Sequence, residues 1–359
     1  MAFTHAKKAD TDMPTYAYPL PEYPAPAPDM VLEVGNLNGH PTGSRNWYLK
    51  FVHDIKAFAR DLGGTAEVLQ SDADHCLFRI TAPDGEVMRY LIYVDDCLDS
   101  SVRGSALRAA LYAHLGKCMP IKDLGQPPAF DFVGGHFEQS HRGDTTTITI
   151  TSPDHIGDLM SRFGTPGGLP VDYPTPCTKE IVEAVAAAKG GDGVDMSLFS
   201  WYASCVGALM FIGSTTRPDV VYAINMLSRC QHCPTPRLAA CVMRVVYYLV
   251  ATKHLGLHYS SSGATGLSAS LAPTFGGATV DGFVDADHAV TRSTSGYCFF
   301  GGAKAAIGFG TQGQPSVALH SMEAEVMATS LAACWVDSVR KYILTNDNET
   351  DTTPIGYWT

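Results

Sequence analysis

Apolar residues between positions 47 and 62 recur with the 3.6-residue period of an α-helix. They occupy one helical face, and Gly63-Gly64 follows them as a stop signal. The apolar positions are Trp47, Tyr48, Phe51, Val52, Ile55, Phe58, Ala59 and Leu62. This pattern predicts an amphipathic helix over residues 47–62 whose apolar side packs against a core.

Two strand-like segments follow this helix. Residues 76–80 and 89–94 are rich in apolar and β-branched side chains, and the stretch 83–86 between them has the composition of a tight turn. The second segment runs directly into Asp95 and Asp96, after which apolar residues resume. We therefore predict a small antiparallel sheet in which the two acids lie at a hairpin turn.

The rest of the chain predicts a second group of helices and strands, so the expected fold class is α+β. The predicted elements are a helix over 104–115, strands over 132–138 and 145–151, two helices within 200–255, strands over 280–288, 296–300 and 316–320, and a helix over 322–334. The stretch 239–250 is apolar on nearly all sides, which predicts a buried helix. Turn-forming residues at 174–176 and 189–193 predict a flexible crossing between the two parts.

Composition limits the classes of protein to consider. With 45% hydrophobic and 17% charged residues, the chain has the composition of a globular protein with a core. Residues 1–29 are Pro-rich, which predicts an extended arm. Acidic residues outnumber basic ones, 36 to 25, giving a net charge of −11. This balance counts against strong binding to nucleic acid, because phosphate repulsion must be offset by a basic groove.

The cysteines and the apolar runs indicate the compartment. Ten cysteines are scattered through apolar contexts, which predicts reduced, buried thiols. Cys230 and Cys233 have a metal-ligand spacing, but no second pair follows, so the signal for zinc is weak. No apolar run reaches the roughly 20 residues that span a bilayer, and the N-terminus lacks the apolar core of a signal peptide. We therefore expect an intracellular protein without a membrane partner.

The chemistry of the sequence centres on Tyr93-Val94-Asp95-Asp96. Two acids in a turn are commonly solvated turn formers. Paired carboxylates at a hairpin tip also suit magnesium, which takes one or two protein carboxylates and fills its octahedron with phosphate oxygens and water. Two such ions can hold the attacking and leaving oxygens of a phosphoryl transfer. Local sequence leaves both interpretations open.

Several collinear motifs resemble the reverse transcriptase and ribonuclease H part of copia-type LTR retrotransposon polyproteins. The motifs are Leu37 to Tyr48, Tyr93 to Asp96, Lys122-Asp123-Leu124-Gly125, Phe132-Val133-Gly134, Tyr202 to Met210 and Thr216 to Arg229. The resemblance extends over roughly residues 30 to 345. It implies a partial polymerase palm and thumb over 30–180, a linker and helical connection over 181–275, and a C-terminally incomplete ribonuclease H-like domain over 276–359.

The resemblance also implies functional residues, a cofactor and partners. Asp95 and Asp96 would bind Mg²⁺ for RNA-directed DNA synthesis, and Tyr93 would line the primer and template. Asp285 and Glu325 would hold the metals that cleave the RNA strand of a hybrid. The implied partners are an RNA template, a DNA primer, RNA/DNA hybrid, deoxynucleotides and other Pol segments, in the cytoplasm within a virus-like particle or in the nucleus.

Two further acidic or basic positions have alternative roles. Arg217 is either a substrate phosphate contact or the structural partner of Asp219, and the helix-start signal of Pro218 favours the structural role. For Glu323, which precedes Glu325 on the same predicted helix, a solvated or capping role is preferred over metal binding.

The sequence departs from the family pattern at both carboxylate sets. The family's third polymerase aspartate lies in a strand upstream of Leu37, where this chain has the Pro-rich arm, with Asp10, Asp12 and Asp29 as the acids present. A later ribonuclease H aspartate has only Asp347 and Asp351 near its place. The expectation is therefore an enzyme by family whose activity in this chain is impaired or lost. The alternatives are a non-catalytic remnant or interaction protein that keeps the fold, or a partner that supplies the missing strand.

Overall fold

The computed structural model describes residues 42–61, 66–122, 127–143, 145–164, 173–261, 281–287, 289, 292–301 and 306–347, and four short strands. The short strands are Thr15–Ala17, Leu32–Val34, Thr274–Phe275 and Ala278–Thr279. The rest of the predicted Pro-rich arm lies outside the described residues, as do Asp10, Asp12, Asp29 and Asp351. The chain divides into two compact units, residues 1–123 and 124–359.

The first unit is a four-stranded antiparallel sheet covered by two helices. Its elements are β1 (Thr15–Ala17), β2 (Leu32–Val34), α1 (Gly43–Asp61), β3 (Glu67–Gln70), β4 (Leu77–Thr81), β5 (Val87–Tyr93), β6 (Asp96–Ser100) and α2 (Ala106–Cys118). The sheet order is β3-β4-β5-β6, and β1 pairs separately with β2. The helices α1 and α2 place Phe51, Ile55 and Leu111 against Phe78 and Tyr90 of the sheet, which forms one core.

The second unit begins with another antiparallel sheet and a cluster of helices. The sheet elements are β7 (Ala129–Phe132), β8 (Gly135–Arg142), β9 (Thr145–Thr151) and β10 (Leu257–Ser260), in the order β10-β9-β8-β7. The helices are α3 (Pro153–Phe163), α4 (Lys179–Lys189), α5 (Phe199–Thr215), α6 (Val221–Ser228) and α7 (Pro236–Ala251). These five helices bury a common apolar core.

The second unit ends with a three-stranded sheet and one long helix. After the short pair β11 (Thr274–Phe275) and β12 (Ala278–Thr279) come β13 (Asp281–Asp287), β14 (Thr294–Phe300), β15 (Ala306–Gly313) and α8 (Ser321–Asp347). The sheet is antiparallel in the order β13-β14-β15. Val284 and Phe299 pack with Ala328 and Ala332 of α8, so this helix covers one face of the sheet.

The observed α+β class agrees with the sequence prediction, but several elements differ. The predicted strand 132–138 is two strands, because Val133 and Gly134, with φ of 47° and 76°, form a turn between β7 and β8. The predicted strand 316–320 is not a strand; residues 306–313 form β15 instead. Three helices rather than two occupy residues 199–251, and the apolar stretch 239–250 belongs to α7, whose buried residues confirm the predicted burial.

The segment predicted as a flexible crossing contains a packed helix. In α4, Ile181, Ala184, Val185 and Ala188 are buried in the helical core. Moreover, β9 pairs with β10 over residues 147–150 and 257–260. The structure therefore groups β7, β8, β9 and α3 with the helices that follow them, and the predicted domain boundary at 180 falls between the paired strands β9 and β10.

One apolar helix has the length and composition that a membrane span requires. Together with the preceding one-turn 3₁₀ helix, α5 covers Met196–Thr215, and a third of its most apolar window is buried. Tyr202, Val206 and Leu209 of this helix pack into the core of the second unit. A core helix passes the same test of length and composition, so the finding is weak evidence for a membrane.

Candidate functional site

The acidic motif forms the tip of the β5–β6 hairpin in the first unit. Tyr93 pairs with Asp96, which leaves Val94 and Asp95 as a two-residue loop. Val94 has a φ of 58°, whereas Asp95 does not have a positive φ, and this is the pattern of a type II′ hairpin turn. Glycine is the usual residue at that first position, so the turn holds a β-branched residue in a costly conformation.

A buried tryptophan anchors the hairpin tip. The Nε1–H of Trp47 in α1 donates a hydrogen bond of 2.7 Å to the carbonyl oxygen of Val94. Trp47 is only 5% exposed, and its ring makes an edge contact with Phe51 at a centroid distance of 5.6 Å. The helix therefore fixes the position of the loop that carries the acids. At the same tip, Tyr93 is 53% exposed and open to a ligand.

The two acids differ in their exposure. Asp95 is exposed and Asp96 is half-buried. Next to them, the pKa of the Cys97 thiol is raised to about 11. Burial is the main cause, a hydrogen bond with Tyr90 acts in the opposite direction, and the negative charges of Asp96, Asp95 and Asp99 add to the increase. The thiol is therefore protonated at neutral pH and is not a nucleophile or a metal ligand in that state.

The carboxylate of a third acid near the hairpin, Asp99, is occupied by hydrogen bonds within the first unit. Asp99 accepts two hydrogen bonds from Nε of Arg108, at 3.0 and 3.1 Å, and one of 2.7 Å from the hydroxyl of Tyr112. Ser101 donates a further hydrogen bond to the same carboxylate. These partners leave little capacity on Asp99 for a metal ion, so the hairpin offers Asp95 and Asp96.

The carboxylate pair fits part of a magnesium site. Magnesium needs six oxygen ligands and often takes only one or two of them from carboxylates. Within the described part of the chain there is no group of three or more His, Cys, Asp or Glu side chains that could hold a metal ion. Asp95 and Asp96 could hold one ion together with substrate phosphates and water, but a two-ion site would need a further ligand.

The second predicted site is divided between two faces of a sheet. Along β13, Val284 faces the core with α8. Side chains alternate along a strand, so Asp285 and Asp287 lie on the opposite face. The Tyr222 hydroxyl of α6 lies 3.5 Å from Oδ2 of Asp287, which places α6 on that second face. Asp285 therefore does not face Glu325, because Glu325 belongs to the helix on the other side.

Glu323, in the first turn of α8, has a structural role. The carboxylate of Glu323 accepts a hydrogen bond of 2.7 Å from the backbone N–H of Leu319, just before the helix begins. The backbone N–H of Glu323 is 3.2 Å from Nδ1 of His320. Glu323 is thus a capping residue, in agreement with the role preferred from the sequence. Glu325 is half-buried.

Arg217 is a structural residue in the second unit. Its guanidinium is 1% exposed and binds both carboxylate oxygens of Asp219, at 2.9 and 2.7 Å. It also donates to the carbonyl and hydroxyl oxygens of Thr252, at 3.0 and 2.7 Å. Burial raises the pKa of Asp219, but its bonds to Arg217 and Tyr248 outweigh burial and lower it. The substrate-binding role considered for Arg217 is therefore corrected, because the side chain is buried and paired.

Two features of these sites could not be found from the sequence pattern alone. Trp47 and Val94 are 47 residues apart, and no local signal connects them. Likewise, alternation along β13 shows that Asp285 and Val284 face opposite sides, but not which side a helix covers. The ten cysteines, by contrast, are free thiols as the sequence predicted, although five are half-buried and Cys334 is exposed.

Comparison with known proteins adds three informative relatives. The chain is 27% identical over 246 residues to the uncharacterized mitochondrial protein AtMg00810 of Arabidopsis thaliana, covering 68% of this chain and 92% of that protein. It is 26% identical over 300 residues to the retrovirus-related Pol polyprotein from transposon TNT 1-94 of Nicotiana tabacum, covering 82% of this chain. It is 35% identical over 144 residues to the secreted RxLR effector protein 161 of Plasmopara viticola, covering 38% of this chain and 90% of that protein.

The extent of these matches limits which properties of the relatives can be assigned to this chain. The chain spans 20% of the TNT 1-94 polyprotein. No family model and no solved structure matches it. The Pol polyproteins nevertheless align with four fifths of the chain, through both of its units. On this basis the chain is a protein derived from the Pol polyprotein of a copia-type retrotransposon.

Proposed function

We propose that this chain carries the nucleotidyl-transfer hairpin of a retrotransposon reverse transcriptase, with Asp95 and Asp96 as magnesium ligands. The observation that carries the proposal is the hairpin tip, where two adjacent acids follow a strained residue whose carbonyl is held by Trp47. Strained backbone next to potential ligands is typical of functional sites. The partners would be an RNA template, a DNA primer and deoxynucleotides.

The side chains of this protein would act by positioning the magnesium ion, the primer and the template. Asp95 and Asp96 would present carboxylate oxygens to Mg²⁺, which supplies charge stabilisation for a transferring phosphoryl group when it is bound. Tyr93 would offer its exposed ring to the primer and template. The rigid attachment of the loop to α1 would keep both carboxylates in place without reorganisation.

The geometry supports the ribonuclease H assignment less than it supports the polymerase hairpin. Asp285 and Glu325 remain its proposed residues, but they lie on opposite sides of the β13-β14-β15 sheet. A shared metal ion would require both side chains at one place. The polymerase hairpin is therefore the site on which the proposed activity rests.

A primer-extension assay tests the proposal. The full chain is incubated with an RNA template of adenines, a thymidine primer and Mg²⁺, and is compared with the double variant Asp95→Asn/Asp96→Asn. The matched control is Asp72→Asn, an exposed acid on the same unit. We expect extension in the wild type and the control and none in the double variant. Equal extension in all three proteins would overturn the proposal.

A binding measurement separates the enzyme from a non-catalytic remnant. The observation that favours a remnant is that Asp99, the next acid along the chain, is engaged by Arg108 and Tyr112. Titration of Mn²⁺, followed by the loss of the free-ion electron paramagnetic resonance signal, reports ion binding without catalysis. Binding that depends on Asp95 and Asp96 supports the enzyme. A folded chain without binding or extension supports the remnant.

A further inference from the structure

An open cleft lies between the 3₁₀ turn Pro218–Val220 and α6 on one side and the β13-β14-β15 sheet on the other, all within the second unit. Its volume is about 660 Å³, within the range of small-molecule sites. Its apolar lining includes Tyr222, Phe283 and Phe309, and Asp285 and Thr311 contribute polar groups. The proposed polymerase hairpin makes no use of this cleft, although Asp285, the acid proposed for ribonuclease H, lines it.

Aromatic rings are unusually accessible in this cleft. Phe283 is 51% exposed, although its ring is held at its edge by Phe300, with centroids 5.9 Å apart and planes at 82°. Tyr222 is 36% exposed on the facing helix. Exposed rings that are fixed by neighbours provide flat surfaces on which a ligand can stack.

Two of the acids around the cleft already have partners within the protein. Asp219 is paired with Arg217 and Tyr248. Asp287 accepts hydrogen bonds from the backbone N–H and the hydroxyl of Thr294.

Asp285 is the acid that remains for a ligand. It is exposed, and among the described residues no hydrogen bond or ion pair engages its carboxylate. The nearby cation Arg229 is already bonded to Asn225 and Thr294. The cleft therefore presents one available negative charge beside aromatic rings.

We propose that this cleft binds a guanidinium group, with the carboxylate of Asp285 as its anionic partner and the rings of Phe283 and Tyr222 as stacking surfaces. A guanidinium is planar, weakly hydrated and able to bond a carboxylate through two N–H groups while it stacks on an aromatic face. A phosphate ligand would be repelled by the acids. A magnesium ion would find one free carboxylate and apolar walls, which do not replace its water.

The ligand could be a free guanidinium compound or the arginine side chain of a peptide. Saturation-transfer NMR on the full chain measures both, with ethylguanidinium as the free cation and an N-acetylated, C-amidated Gly-Arg-Gly tripeptide as the second probe. We expect saturable binding of both probes. An affinity for the tripeptide at least threefold higher would identify a peptide arginine as the ligand, and equal affinities would identify a free guanidinium.

Variants of the cleft and of matched surfaces test the assignment. We expect Asp285→Asn and Phe283→Ala to weaken binding at least fivefold. The controls Asp158→Asn and Phe199→Ala replace an exposed acid and an exposed phenylalanine elsewhere in the same unit, and should leave binding unchanged. Because Asp285 is exposed, its variant should fold normally, which a thermal melt verifies. Equal binding by wild type and Asp285→Asn would overturn the proposal.

Two competition experiments distinguish this site from simpler explanations. The corresponding Gly-Lys-Gly peptide carries the same charge without the planar fork, and binding equal to that of the arginine peptide would overturn the guanidinium assignment. Addition of 5 mM MgCl₂, compared with NaCl at the same ionic strength, should not displace the probe. Displacement specific to Mg²⁺ would assign Asp285 to a metal ion instead.

Discussion

Replacing Val94 by glycine should stabilise the hairpin that carries the two acids. Val94 has a φ of 58° at the first loop position. A left-handed conformation costs a residue with a Cβ atom roughly 1–2 kcal/mol, and glycine avoids this cost. Glycine loses roughly 0.5–1 kcal/mol through its greater freedom in the unfolded chain. Taken from the middle of the two ranges, the net gain is about 0.5–1 kcal/mol in the free energy of local opening.

Hydrogen exchange followed by mass spectrometry measures this local free energy. A gain of about 0.5–1 kcal/mol slows the exchange of protected amides roughly two- to fivefold. The reporting peptides are those of β5 and β6, and α7 in the second unit is the internal reference. The hydrogen bond from Trp47 to the Val94 carbonyl is kept in the variant, because it involves only the backbone of residue 94.

Val94→Ala is the matched control. Alanine keeps the Cβ atom, so most of the conformational cost remains, and its exchange should stay close to that of the wild type. If alanine slowed exchange as much as glycine did, the loss of the branched side chain and not the backbone conformation would be the cause. Faster exchange in the glycine variant would refute the strain argument outright.

The remaining predictions concern the second unit. Asp219→Ala leaves the buried Arg217 without its ion-pair partner. Loss of a buried pair costs roughly 3–5 kcal/mol, and because Asp219 is 35% exposed we expect the free energy of unfolding in urea to fall by the low end of this range. As a control, Glu183→Ala removes an exposed acid and should lower the free energy of unfolding by less than about 1 kcal/mol. Because the pKa of Asp219 is lowered in the folded protein, the carboxylate contributes its full stabilisation above the ordinary aspartate pKa and loses it as the pH falls through the folded-state pKa. The difference in free energy of unfolding between wild type and Asp219→Ala should therefore shrink as the pH is lowered. Tyr202→Phe removes a buried 2.9 Å hydrogen bond to the carbonyl of Leu227 and should cost about 1 kcal/mol in the same denaturation assay.

The first unit could be predicted largely from local pattern. The helical repeat from residue 47, the two strands and the turn between them all agree with the structure, because each signal lies within one element. The turn at Val133 and Gly134 lies inside the predicted strand 132–138, because Gly134 permits a positive φ but the apolar, β-branched Val133 beside it is typical of a strand. The capping role of Glu323 could be predicted, since it depends on residues only four positions apart.

The glycine-rich strand β15 shows what local pattern cannot supply. Glycine is depleted in strands, so the sequence from 306 to 313 did not predict one. In the structure, a Cβ atom on Gly308 would lie 1.7 Å from Cζ2 of Trp335, and one on Gly310 would lie 2.7 Å from the hydroxyl of Tyr297. These glycines are therefore required by the close approach of aromatic side chains from α8 and β14, which are distant in sequence.

The hairpin tip and the core of the first unit require different residues. The core needs Phe51, Phe78 and Tyr90, but none of its contacts requires carboxylates at the tip. A hairpin selected for stability alone would carry glycine in place of Val94. Strain of this kind persists only where the surroundings impose it, and here the Trp47 hydrogen bond does so. Because the anchor is independent of Asp95 and Asp96, replacing the acids should remove ion binding while the hairpin stays folded, which is what makes the asparagine variants a clean test of the proposed function.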